Sequence, residues 1–131
     1  MSLTIIQPED LDKPTTYSHV IAATGSRLVF VAGQVSDDSD GNPVFPDDVA
    51  AQARQAFTNL GRALAAAGAR PDQVAKIGIY VVGHRREFLP IIEVARVSVF
   101  GDHKPTDTLI GVQTLARTEY LIEVDAIAVV D

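Results

Sequence analysis

"KPTDTLIGVQTLARTEYLIEVDAIAVV", residues 104–130, reads as two strands joined by a short polar connection. In the second strand, over 120–130, the even positions Ile122, Val124, Ala126, Ala128 and Val130 are all apolar, whereas the odd positions Leu121, Glu123, Asp125, Ile127 and Val129 are mixed. Side chains alternate between the two faces of a strand, so this pattern predicts one face sealed against helices and a second that is only half apolar. Such a face suits a subunit contact or an interfacial pocket. The carboxylates are the difficulty. Asp107, Glu123 and Asp125 sit within or beside apolar runs, and an ionised carboxylate is costly to bury without partners.

Upstream, "YSHVIAA" (17–23) and "RLVFVAGQV" (27–35) have extended patterns separated by "TGS", a turn signal of hairpin type. After the polar stretch "SDDSDGNPVFPDD", Val49, Ala53, Ala56, Leu60, Leu64 and Ala67 recur at three- and four-residue steps, which predicts a helix. Asp47 or Asp48 can cap its start and Gly68 can close it. "VAKIGIYVV" (74–82) reads as a strand. "REFLPIIEVARVSVFG" then reads as a second helix, with Pro90 in its first turn and Gly101 after its end. Phe88, Ile92, Ala95 and Val99 form one apolar stripe, and Ile91, Val94 and Val97 form another, so two neighbours are expected. The order is β-β-α-β-α-β-β, an α+β fold with two helices on one face of a mixed sheet.

A chain of 131 residues fits a single domain, 1–131, and is long enough to fold without disulfides. It contains no cysteine, which excludes a thiolate nucleophile and a Cys-based zinc site. Residues 1–12 lack the basic start and apolar core of a signal peptide, and no 18 apolar residues run together, so a soluble cytoplasmic protein without membrane contact is expected. The net charge of -6 would repel a phosphate backbone, and nucleic acid is not an expected partner.

Few motifs carry chemistry. "SDDSDGN" (36–42) threads onto a calcium loop only in part: Ser36 holds the first ligand position and Asp47 stands where a bidentate glutamate belongs, so a polar connection is the simpler reading. His19, His84 and His103 are scattered without metal-ligand spacing. There is no nucleophile elbow, dinucleotide loop or Walker loop. Glu123 stands out. On a partly enclosed face it would titrate high and suit a general acid or base; equally, it could pair with Arg27 or Arg117 to stabilise a subunit contact.

"TYSHVI", "LVFVAGQVS", "VAAQARQAFTNLGRALAAAGA", "KIGIYVVGHRREF" and "IEVDAIAV", in this order and spacing, resemble the RidA/YjgF family of small trimeric enamine/imine deaminases. The resemblance spans nearly the whole chain. It implies a chorismate-mutase-like fold, a homotrimer and a ligand pocket in each cleft between subunits, with no metal or organic cofactor. It also implies site roles: Tyr17 as a hydrogen-bonding wall residue, Gly33 and Gln34 through the "AGQV" strand, and Glu123 as the glutamate that positions a water. Phe88 on the second helix is expected to help line the pocket.

The resemblance departs where the family binds a substrate carboxylate. Asp107 in "KPTDTLIGV" matches the arginine of the family's "P-x-R-S" segment, Leu109 matches a cysteine, and Ile92 matches an asparagine. Arginine offers a fork of donors to a carboxylate, whereas aspartate repels one. If Asp107 and Glu123 approach closely, one pKa should rise and the pair could supply an acid and a base. The expected function is hydrolytic acid–base chemistry on a small neutral or cationic metabolite, without efficient deamination of 2-imino acids. A non-catalytic, metabolite-binding or regulatory trimer is the alternative. Ribonuclease activity or translation inhibition, attached to the family by name, fits the charge least.

Overall fold

The computed structural model describes residues 1–131. In chain order the elements are β1 (Ser2–Ile6), β2 (Val20–Thr24), β3 (Arg27–Gln34), α1 (Val49–Ala66), β4 (Val74–Val82), α2 (Leu89–Phe100), β5 (Thr106–Val112) and β6 (Ile122–Val130). One 3-10 turn precedes β4 and another, Arg86–Phe88, precedes α2. No helix is long and apolar enough to cross a membrane.

The main sheet has the order β3-β6-β4-β5, antiparallel except for the parallel pair β4/β5. This is the expected mixed sheet, and β6 lies inside it between β3 and β4. Two details differ from the expectation. Ser2–Ile6 forms an additional strand, and it pairs with β2 in a separate two-stranded sheet. The "TGS" segment therefore turns the chain out of one sheet into another, and β3 takes β6 as its partner. Local turn chemistry signals a reversal, but the strand partner is chosen by the buried faces that have to be covered.

α1 is capped by Asp48, whose side chain accepts from Ala51 N at 3.0 Å, and it closes at Gly68, which adopts φ 73°. Its buried residues Ala53, Phe57, Leu60 and Leu64 join Ile77, Ile79 and Val81 of β4 and the even positions of β6 in one hydrophobic core. Phe57 meets Phe100 of α2 edge to face, with ring centroids 6.4 Å apart. The first stripe of α2 enters this core; the second does not. Val94 and Val97 remain 66% and 44% exposed.

The ends of the sheet near Glu123 are held by polar side chains from α1. Gln52 is buried, its Nε2 donates to Phe45 O at 3.1 Å and Glu119 O at 2.7 Å, and its Oε1 accepts from Leu121 N at 2.8 Å. Asn59 Nδ2 donates to Val35 O and Asp37 O, both at 3.0 Å, while the Tyr120 hydroxyl donates to Asp37 Oδ1 at 2.7 Å. Two long connections are thus tied to one helix.

Gln52→Leu conserves approximate volume but strands three backbone groups, so it should lower unfolding free energy by roughly 2–4 kcal/mol. Urea denaturation of the two proteins measures this directly. A loss within experimental error would mean that water replaces the glutamine at no cost.

Candidate functional site

Pairing fixes which way each carboxylate points. Asp107 on β5 is the partner of Ile77 on β4, which is the partner of Ala126 on β6. Ile77 and Ala126 are buried under the helices, so Asp107 lies on the helix-facing side of the sheet. Glu123 and Asp125 are partners of Tyr80 and Gly78, and they lie on the opposite, open face. Within one chain the sheet separates Asp107 from Glu123.

On the helix-facing side, Tyr17, Ile92, Leu109 and Asp107 surround a cavity of about 280 Å³ beside α2. Four of the residues expected at the site are therefore neighbours. Five further residues line it that were not expected at the site, Thr16, Ile79, Leu89, Glu93 and Arg96, and the last two are charged. Arg96 follows Ile92 by one helical turn and shares its buried face, with only 2% of the residue exposed. Its Nε and Nη2 donate to Glu93 Oε2 and Oε1 at 2.9 and 2.6 Å. Its Nη1 is buried without a hydrogen-bond partner. The signal for Arg96 was present: an arginine at the Ile92+4 position of an apolar stripe cannot reach solvent easily.

The Asp107 carboxyl makes no hydrogen bond or ion pair within the chain. Burial pushes its pKa up, the Arg96 charge pulls it back down, and Glu93 pushes it up again, with burial the largest effect.

The open face holds a second group. A register shift between Val31 and Gln34 places Gly33 beneath Glu123, where a Cβ would overlap the Glu123 carboxylate. Only glycine leaves that space. Glu123 has no ion pair: Arg27 instead donates to Ala67 O at 3.3 Å, and Arg117 does not reach it. Burial, and then the Asp125 charge, raise the Glu123 pKa. Asp125 accepts from the Tyr80 hydroxyl at 3.1 Å, and that carboxylate raises the Tyr80 pKa in turn. Here Phe30, Lys76, Tyr80 and Asp125 line a broad depression of about 440 Å³.

Gln34 and Phe88 line neither of these two recesses. Gln34 Nε2 donates to Ala32 O at 3.1 Å, and its neighbours are Asp37, Asn59 and Arg62. Phe88 packs against the core and carries the Arg85 guanidinium 4.9 Å from its ring centroid. In the acidic connection, Asp38 Oδ1 accepts from Asp40 N and Asn42 N, both at 2.9 Å, which closes a local turn.

Comparison with known proteins sets this geometry in context. The family model described as Endoribonuclease L-PSP matches residues 9–130. A RutC family protein of Pyrococcus horikoshii is 32% identical over 125 residues, covering 95% of each chain. A 2-iminobutanoate/2-iminopropanoate deaminase of Rattus norvegicus is 31% identical over 103 residues, covering 79% of this chain and 73% of its own. Among solved structures, a conserved Rid-family protein of unknown function from Yersinia pestis superposes with a TM-score of 0.91 at 34% identity, covering 98% of this chain and 99% of its own.

An unpartnered carboxyl whose pKa is raised in the folded state adds stability while protonated and withdraws it as pH climbs through the folded value. Asp107→Asn should therefore melt higher than the natural protein at pH 7, with the gap closing as pH falls toward the ordinary aspartate value of 3.8. Melting curves across pH 4–8 give the answer; a less stable Asn variant at pH 7 would mean that attraction to Arg96 outweighs burial.

Proposed function

The chain belongs to the RidA/YjgF family, and we propose that it handles a small uncharged or cationic metabolite by hydrolytic acid–base chemistry, in clefts between the subunits of a homotrimer. The observation that carries this reading is the cavity where Tyr17 and the unpaired Asp107 meet the apolar walls of Ile92 and Leu109. Asp107 stands where deaminase members of the family carry a carboxylate-binding arginine. A site so altered rejects the 2-imino acids that such an arginine would hold.

Trimer formation supplies what one chain lacks. The open face exposes Phe30 at 71%, Leu28 at 58% and Ile110 at 46%, an apolar surface that association would cover. Covering it brings Glu123 of one subunit toward the cavity of its neighbour. In that arrangement Glu123, with its raised pKa, takes a proton from the attacking water, and Asp107 anchors or protonates the departing nitrogen. Tyr17 supplies a hydrogen-bonding wall. RNA is disfavoured as a substrate by the net charge of -6.

The separation of Asp107 and Glu123 across the sheet favours one other reading, a trimer that binds a metabolite without turnover. Glu123→Gln distinguishes the two. Light scattering should report three 14.0-kDa chains for both the natural protein and the variant, because Glu123 has no ion-pair partner to lose. Turnover of a neutral or cationic imine should fall by ~10² to 10⁴-fold. A variant that retains full turnover would remove Glu123 from the chemistry, and a monomer would remove the cleft. Natural protein that deaminates 2-imino acids as fast as the family's deaminases would overturn the assigned selectivity.

A further inference from the structure

Arg96 places a cation in the cavity, yet its charge is already answered. Glu93 occupies the Nε/Nη2 edge bidentately, so the guanidinium contributes donors rather than net charge. What remains is Nη1, a buried donor without an acceptor. Such a group is expensive to leave unmade. Asp107, a carboxyl without a donor, lines the same cavity, and no ion pair joins it to Arg96.

The charges facing Asp107 set what can enter. From α2 come Glu93 and Arg96, which cancel, and Lys76 acts from the adjacent strand. A carboxylate would meet a cavity holding two carboxyl groups and one arginine. An alkylammonium would satisfy Asp107 but leave Nη1 orphaned. A carbonyl oxygen beside an N–H satisfies both: the oxygen accepts from Arg96 Nη1, and the N–H donates to Asp107. Ile92 and Leu109 can cover the aliphatic remainder.

We propose that this cavity recognises an uncharged carboxamide or ureido group, held between the Arg96 Nη1 donor and the Asp107 acceptor, with Glu93 acting as the residue that neutralises Arg96 and so excludes carboxylates. The assignment rests on the reading of the cavity as a small-molecule site and names the chemical class that it takes. Arg96 is thus not a displaced copy of a carboxylate-binding arginine. Its partner decides its selectivity.

Three fragments with one tail test this on the assembled protein: butyramide, butyrate and butylammonium. Binding is read from the methyl NMR resonances of Ile92 and Leu109 during titration. Butyramide should bind at least about tenfold tighter than butyrate, since only the amide pairs with both groups. Glu93→Gln keeps an acceptor for Arg96 but removes the neutralising charge; it should raise butyrate affinity roughly tenfold and change butyramide affinity by less than about threefold. Asp107→Ala should weaken butyramide about tenfold while the remaining methyl spectrum stays unchanged. Butyrate or butylammonium binding as tightly as butyramide would overturn the inference and leave the cavity a ligand site. So would a Glu93→Gln variant with no gain for butyrate. If none of the three shifts these methyls, both the inference and the small-molecule reading fall.

Discussion

The alternation of side chains along β6 is the constraint from which the rest follows. The strand is hydrogen-bonded on both sides, to β3 and to β4, and its even residues form the floor beneath the helices. A slip of one residue would turn Glu123 and Asp125 into that floor and bring Leu121, Ile127 and Val129 with them. Two buried, unpaired carboxylates are a far larger cost than any turn preference. Register is therefore fixed in the middle of the sheet, and β4 transmits it to β5. The position of Asp107 on the helix side is a consequence of Ile77 beside it, as the position of Glu123 is a consequence of Val124.

That dependence explains what the sequence could and could not disclose. Periodicity was sufficient for both helices and for the two faces of β6, and β-branched composition for β4, because each pattern is enforced by burial of its own residues. It could not give strand partners. The "TGS" turn looks like a hairpin, yet β2 leaves for β1, a short strand whose residues stay mostly exposed although Leu3, Ile5 and Ile6 are apolar. Tyr17, Ile92, Leu109 and Asp107 were legible as neighbours through family likeness alone. Gln34 and Phe88 line neither recess within one chain, and Arg96 gives a weak signal because a charged residue on a helix ordinarily faces solvent. Its place on the Ile92 stripe was the overlooked clue.

Helix α2 carries this tension openly. One side supplies Ile92, Ala95 and Phe100 to the core, and the same side carries a buried arginine. A leucine there would pack more cheaply, since burying an ion pair rarely gains over apolar residues of similar size. The Glu93–Arg96 bridge limits the loss by satisfying two of the three guanidinium nitrogens. The third stays unmet. A fold optimised for stability alone would close that deficit, and sites that leave such deficits standing are where ligands find their contacts.

The same reasoning bears on why Asp107 and Arg96 do not simply pair. If the carboxylate reached the guanidinium, each would satisfy the other, the pKa of Asp107 would be held low and the cavity would close over a completed salt bridge. Glu93 takes the Nε/Nη2 edge of Arg96 from one turn earlier on the same helix, and Nη1 is left without an acceptor rather than paired with Asp107. Asp107 is left on β5, partly buried and with its pKa raised instead. The helix-internal pair and the strand carboxyl thus stay separate. The cost is carried as unsatisfied polar groups on both walls, and the compensation comes when a single ligand presents an acceptor to one wall and a donor to the other. Specificity in such a site resides less in any one residue than in the spacing that stops its residues from satisfying each other.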